Sequence, residues 1–253
     1  MYERTRQLEG RNMGTAIRFH AVSERGKREK NEDAVLADRV GDHYILAVAD
    51  GLGGHAAGEV ASRTAIQELR KLTGSPMQSP ADVLERAVRQ AHLAICHLAA
   101  EDASSSGMGT TFTAAIVAKD GTATVVNVGD SRACIIDGGI TCTRDHSYVQ
   151  QLVDAGIITP EEAWHHPMNT LITQALGDLG REPRADRYTF TLAGKYLLLS
   201  TDGLHDYVRP ARIREIVLAH GKDLEGACAH LVSDALRNGS GDNITVVVMY
   251  SEG

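Results

Sequence analysis

The sequence predicts an α+β protein folded as one domain over residues 1–253, and three observations carry that prediction. Apolar runs of strand length, Tyr44 to Ala49, Tyr196 to Thr201 and Ile244 to Val248, each meet an aspartate at one end. Apolar residues recur at helical spacing from Ala56 to Leu72, from Ser79 to Leu98 and from Arg212 to Arg237. Between them lies a block of short β-branched runs separated by turn residues, and no linker composition or internal repeat divides the chain.

Taken in order, Thr15 to Val22 alternates, with Ile17, Phe19 and Ala21 on one face, and predicts the first strand. The charged segment Gly26-Lys27-Arg28-Glu29-Lys30-Asn31-Glu32-Asp33 reads equally as a solvated hairpin loop, yet it sets Glu32 and Asp33 at the entrance of the strand begun by Ala34-Val35-Leu36-Ala37. Asp50-Gly51-Leu52-Gly53-Gly54-His55 closes the next run. Its glycines permit a sharp bend that brings a carbonyl close to whatever the carboxylate holds. Ala56 to Leu72 then predicts a helix with Ala57, Val60, Thr64 and Leu69 inward. After a loop with Gly74 and Pro76, Ser79 caps and Pro80 opens a second helix, with Val83, Ala87, Ala91, Ile95 and Leu98 on its buried face. His92 and His97 on that helix have no second histidine at i+4 and read as packing or surface residues.

Thr110 to Ala118, Thr122 to Val128 and Arg132 to Asp137 predict an antiparallel meander, punctuated by Asp120-Gly121, Gly129-Asp130-Ser131 and Asp137-Gly138-Gly139. Residues 143–185 interrupt it with a polar, mostly helical excursion of the kind that serves as a lid or recognition loop. Within it Asp145, His146 and Ser147 are contiguous and cannot converge as a hydrolytic triad, and His165-His166 point apart on a helix, which weighs against a metal pair. The strand from Tyr196 to Thr201 ends in Asp202-Gly203, two helices span Arg212 to His220 and Leu224 to Arg237, and Gly241-Asp242-Asn243 opens the last strand.

Composition is that of an ordinary globular protein, at 43% hydrophobic and 23% charged residues, with no apolar run long enough to span a bilayer. Met1 to Arg18 carries Arg4, Arg6, Arg11 and Arg18 around no apolar core and does not read as a secretory signal, so the expectation is a cytoplasmic protein without a membrane partner. A net charge of −7 argues against a nucleic-acid binder. Cys96, Cys134, Cys142 and Cys228 show no Cys-x-x-Cys spacing and sit in or beside apolar segments, which favours free buried thiols over disulfides or zinc.

Asp33, Asp50, Asp130, Asp202 and Asp242, with Glu32, all stand at strand ends. If those ends converge, the carboxylates repel and raise one another's pKa values, a cost that a divalent cation removes. All-oxygen ligation, including a glycine carbonyl, selects Mg²⁺ or Mn²⁺, and two ions sharing a carboxylate also share a water made nucleophilic near neutral pH.

With these residues in place, the chain from about Arg18 to Tyr250 resembles the metal-dependent protein phosphatases of the 2C type, in their bacterial-style branch. The resemblance rests on Arg28-x-x-Asn31-Glu32-Asp33, Asp50-Gly51-Leu52-Gly53-Gly54-His55, Gly109-Thr110-Thr111, Gly129-Asp130-Ser131-Arg132, Asp145-His146-Ser147, Ala175-Leu176-Gly177, Thr201-Asp202-Gly203-Leu204 and Gly241-Asp242-Asn243, in this order. It implies a four-layer αββα sandwich of two antiparallel sheets flanked by helices, with residues 143–185 as a flap beside the active site. It implies that Asp50 bridges two Mn²⁺ or Mg²⁺ ions, that Gly51 adds its carbonyl, and that Asp202 and Asp242 complete the first ion's protein ligands. Asp33, and Glu32 with it, would hold metal-bound water. Asp130 and Asp202 would bind a third, weaker ion, and Arg28 would hold the substrate phosphate. The implied reaction is hydrolysis of phosphoserine or phosphothreonine in proteins by in-line attack of the metal-activated water, by a monomer that reverses a Ser/Thr kinase in signalling.

Two positions depart from the family pattern. Leu52 stands where methionine is usual, and His205 where tryptophan is frequent. The longer loop also leaves His55 without a transferable role. Two rival readings accompany the main one: an inactive member that binds phosphoproteins as a regulator, and a serine esterase built on Ser131 with Asp202-x-x-His205, which leaves Asp50 and Asp242 unexplained.

Overall fold

Alternation along the apolar runs becomes a division of each central strand between two cores. The computed structural model describes residues 17–53, 57–74, 79–101 and 107–252. Its first half holds β1 (Ile17–Glu24), β2 (Ala34–Val40), β3 (His43–Ala49), β4 (Gly51–Leu52), α1 (Ala57–Thr73), α2 (Pro80–Glu101), β5 (Gly109–Thr110), β6 (Phe112–Ala118) and β7 (Thr122–Val128). Then come β8 (Arg132–Ile136), β9 (Ile140–Cys142), α3 (Tyr148–Asp154), α4 (Pro160–Trp164), β10 (Asp186–Thr191), β11 (Lys195–Ser200), α5 (Asp202–His205), α6 (Pro210–His220), α7 (Leu224–Arg237) and β12 (Ile244–Ser251). Two 5-stranded antiparallel sheets, ordered β1-β12-β11-β8-β9 and β10-β7-β6-β3-β2, stack face to face, and β4 pairs with β5 beside them.

Leu46, Val48, Ala115 and Val125 from one sheet meet Phe19, Leu197, Leu199 and Met249 from the other in the central core. The intervening residues Ile45, Ala47, Ala114 and Ile116 turn outward against Leu69 of α1 and Leu84, Ala91 and Ile95 of α2. On the opposite side Leu198, Val246 and Val248 pack under Ile213 and Val217 of α6 and Leu231 of α7. This is the expected αββα arrangement. Strands buried on both faces read as unbroken apolar runs, which is why these were the easiest to find.

Several expectations change. The run from Arg132 does not continue the meander: β6 and β7 form a hairpin, whereas β8 pairs with β11 of the other sheet, so Gly129-Asp130-Ser131 is a crossing between sheets. The inward face of α1 carries Ala57, Gly58, Ala61, Ser62, Ala65 and Leu69, leaving Val60 42% exposed and Thr64 only half-buried. Residues 143–185 are mainly turns and extended chain around the short α3 and α4. Cys134 and Cys142 lie opposite each other in the β8–β9 ladder and form a disulfide, because a hairpin brings together cysteines that sequence spacing keeps apart. The expectation of free thiols holds for Cys96 and Cys228, and burial pushes the Cys228 thiol up to about 12. Thr15, Pro76, Gly54 and His55 lie outside the described residues. Among those described, no helix is long and apolar enough to cross a membrane.

Register gathers the aspartates. Ala34 pairs with Ala49, so Asp33 and Asp50 emerge side by side just past the ladder. Ser200 pairs with both Arg132 and Val246, which brings Asp130, Asp202 and Asp242 out at the corresponding end of the second sheet.

Candidate metal centre

Main-chain bonds fix each carboxylate before its side chain is considered. The Asp50 N–H donates to Thr111 Oγ1 at 2.9 Å, and its carbonyl accepts from Thr111 N at 2.9 Å and from Thr110 Oγ1 at 2.8 Å. Gly51 has no room for a side chain, since a Cβ there would stand 2.3 Å from the Gly58 carbonyl oxygen and 2.6 Å from that of Glu32. Close approach between α1 and the strand ends, more than a positive φ, is what glycine provides. Gly203 is squeezed likewise, its would-be Cβ lying 1.9 Å from the Asn243 carbonyl oxygen. Asn243 ties the β1–β2 loop to β12, accepting from Glu32 N at 2.8 Å and donating to the Arg25 and Lys30 carbonyls at 2.8 and 2.9 Å.

Asp33 Oδ2 accepts hydroxyls from Thr201 at 2.9 Å and Thr245 at 2.6 Å. Burial nevertheless holds its carboxyl up at about 7, with Asp202 and Asp242 adding repulsion. Burial is also the leading cause at Asp50, pushed well above the usual carboxylate range, where Asp202, Asp33, Asp130 and Asp242 contribute in turn. Asp202 is raised by burial and by Asp242, and a hydrogen bond with the Asp50 carboxyl offsets part of the rise. Asp130 is raised strongly by burial, then by Asp202, Asp145 and Asp206. Five sequence-predicted aspartates thus share one electrostatic neighbourhood.

Glu32 stands at its margin. Its carboxyl is raised by burial and lowered by Arg28, and its Oε2 lies 2.8 Å from where a Gly58 Cβ would sit, beside the first turn of α1. Arg28, more than half exposed, donates from one guanidinium nitrogen to Asp242 Oδ2 at 2.8 Å. The planar fork keeps further N–H groups for an anion, so Arg28 stands at the mouth of the cluster already neutralising one of its members.

The donor set fits divalent ions. Asp33 Oδ1 and Asp202 Oδ1 are buried without a hydrogen-bond partner among the described residues, an arrangement that costs free energy unless something else meets those oxygens. All donors are hard oxygens. Carboxylate and carbonyl oxygens suit Mg²⁺ or Mn²⁺, ions that retain several waters, although no three described His, Cys, Asp or Glu side chains already close into a cage.

Sequence reasoning missed Asp206, one helical turn after Asp202 on α5, with its carboxyl raised to about 7 by burial and Asp202 while Arg132 pulls it down. Its position at i+4 from Asp202 was the available signal. Arg132 forks onto Asp145 at 2.9 and 2.6 Å, linking the sheet crossing to the flap. His146 continues the link, accepting from Gly129 N at 3.2 Å through Nδ1, and Ser147 caps α3. His165 and His166 belong to the flap, where His165 meets Glu161 and Arg209 while His166 Nδ1 accepts from Met168 N.

The esterase reading fails on geometry. Ser131 is wholly buried with its hydroxyl 2.7 Å from Thr111 Oγ1, and His205 Nδ1 lies 2.9 Å from Ser200 Oγ. Burial, then Arg132, hold the His205 pKa well below its ordinary value, against a hydrogen bond to the Asp130 backbone, so the ring is a neutral packing element.

Comparison with known proteins bears on the family and the fold. The family model for protein phosphatase 2C matches residues 22–230. The serine/threonine protein phosphatase PstP of Mycobacterium tuberculosis is 41% identical over 236 residues, which is 92% of this chain and 44% of PstP, so the chain spans less than half of that relative. Protein phosphatase PhpP of Streptococcus pneumoniae is 36% identical over 231 residues, 88% of this chain and 92% of PhpP. The crystal structure of the PstP catalytic domain in complex with 2 manganese ions superposes with a TM-score of 0.82 at 39% identity, covering 94% of this chain and 99% of that one.

Proposed function

This chain belongs to the protein phosphatase 2C family, and from that premise we propose that it hydrolyses phosphoserine and phosphothreonine in phosphoproteins with two Mn²⁺ or Mg²⁺ ions. The observation that supports this most directly is the buried aspartate cluster with two unpartnered carboxylate oxygens, on Asp33 and Asp202. Asp50, the Gly51 carbonyl, Asp202 and Asp242 would hold the ions, Asp33 and Glu32 their waters, and Asp130 with Asp202 a third ion. When bound, the ions supply charge neutralisation and a nucleophilic water at neutral pH.

The chain's own residues do the rest. Thr201 and Thr245 occupy Asp33 Oδ2 and leave Oδ1 as the acceptor that can orient a water. Arg28 presents a guanidinium fork to the phosphoryl group, and its pairing with Asp242 fixes where that fork lies. We further propose that residues 1–253 act as one catalytic domain with 143–185 as its flap, and that the enzyme works as a cytoplasmic monomer against a cognate Ser/Thr kinase. The test is phosphate release from a phosphothreonine peptide with Mn²⁺, with EDTA, and with Asp202→Asn or Asp50→Asn. Release should require Mn²⁺ and vanish in both variants, and a folded, Mn²⁺-loaded protein that releases none refutes the proposal.

A further inference from the structure

A cleft of about 680 Å³ opens between the β1–β2 loop and α1, with Asp33 and Asn31 in its lining. Arg25 enters from the loop, and Arg63, Gln67 and Arg70 from α1, where spacings of four and three residues put them on one helix face. Arg25 donates to the Glu29 carbonyl at 3.2 Å, and Arg63 is paired with Glu59 at 2.8 Å on the exposed side. Arg70 has no side-chain partner among the described residues. In sequence the loop continues from Arg25 through Lys27, Arg28, Glu29 and Lys30, in a chain whose net charge is −7. Arg25, Arg63 and Arg70 outnumber Glu24 and Asp33 in the lining, so the cleft has a small cationic excess in an anionic molecule, and it shares Asp33 with the metal centre and its loop with Arg28.

We propose that this cleft docks a carboxylate-rich segment flanking the phosphorylated residue of the substrate, with Arg70, Arg63 and Arg25 as its anion partners. The inference rests on the phosphatase reading. A phosphoresidue held by Arg28 leaves its neighbours, advancing about 3.3 Å per residue when extended, within reach of the adjoining cleft after a few positions. Gln67 adds a side-chain amide able to donate to a carboxylate, and the guanidinium groups steer an acidic chain toward a molecule that otherwise repels it.

The experiment uses two fluorescein-labelled phosphothreonine peptides identical except for a flanking run of glutamates or glutamines. Anisotropy reads binding to the full chain, and turnover of both peptides and of p-nitrophenyl phosphate is followed with Mn²⁺. The glutamate peptide is expected to bind about fivefold tighter at about 50 mM salt, the gap closing near 300 mM. The double variant Arg63→Ala/Arg70→Ala should remove that gap and raise KM for the glutamate peptide about fivefold, leaving kcat and the other two substrates unchanged, and Arg70→Lys alone should keep most of the preference. Equal binding of both peptides by the wild-type chain overturns the proposal, as does equal weakening of both by the double variant. Loss of all turnover with the binding preference intact would instead refute the phosphatase reading alone.

Discussion

Asp33 offers a quantitative test of the buried carboxylate cluster. Its carboxyl titrates at about 7 in the fold against 3.8 for an unperturbed aspartate, chiefly because of burial. Since the folded state then holds the proton more tightly than the unfolded one, the folded chain carries more protons between about pH 4 and about pH 7, and stability falls as pH rises through that window. A rise of this size corresponds to at most roughly 4 kcal/mol at about 1.4 kcal/mol per pH unit, an upper bound because neighbouring carboxylates share the titration. Between about pH 5 and about pH 8 about two of those pH units are traversed, roughly 3 kcal/mol, which for a chain of this length is about 8 °C in Tm. Calorimetry in EDTA should show a lower Tm near pH 8 than near pH 5, and Asp33→Asn should remove a substantial part of that drop by deleting its share of the buried charge. Mn²⁺ should restore the wild-type Tm near pH 8, where a dication replaces the missing proton, and should stabilise Asp33→Asn less. An ion-free wild-type protein equally stable at both pH values, or an Asp33→Asn variant with an undiminished drop, refutes the reasoning.

Two other perturbations probe neighbouring features. With Arg28 in its proposed role at the substrate phosphate, Arg28→Ala should cost about 10- to 100-fold in kcat/KM on a phosphothreonine peptide, with partial recovery in Arg28→Lys, whereas unchanged kinetics would deny Arg28 that task. Opening the Cys134–Cys142 bridge, which closes a loop of sequence separation 8, should cost about 2–3 kcal/mol, read as a fall in Tm on adding a reductant that the double variant Cys134→Ser/Cys142→Ser no longer shows.

What the sequence disclosed follows from burial. Ile45 to Ala49 and Leu197 to Ser200 are covered on both faces, so composition alone marks them, and a carboxylate against such a run is conspicuous. β10 is an edge strand alternating half-buried and exposed residues, and β9 has only 3 residues, so neither leaves a distinctive trace. The crossing at Gly129-Asp130-Ser131 looks like a hairpin because nothing local names the strand that β8 will pair with. The face of α1 was misplaced for a different reason. Hydropathy selects Val60, but the contact surface selects Gly58, for its lack of side chain against Gly51, and Ser62, whose hydroxyl donates to the Glu32 carbonyl at 2.5 Å. Close packing near a polar site rewards small residues that hydropathy ranks low.

The same logic explains why Gly109-Thr110-Thr111 belongs with the aspartates although none of its residues is a candidate ligand. Its two threonines take up both the N–H and the carbonyl of Asp50, and Thr111 Oγ1 passes the contact on to Ser131, next to Asp130. Asn243 does the corresponding work for the Glu32–Asp33 entrance, and Ser240 Oγ donates to the Gly203 carbonyl at 3.0 Å beside Asp202. With the backbone of Asp50 satisfied by protein groups, its carboxylate is what remains to be neutralised. The hydroxyl and amide residues between the motifs therefore fix the directions of charges whose mutual repulsion would otherwise drive them apart, and this preorganisation lets an incoming ion meet oxygens already desolvated and aimed.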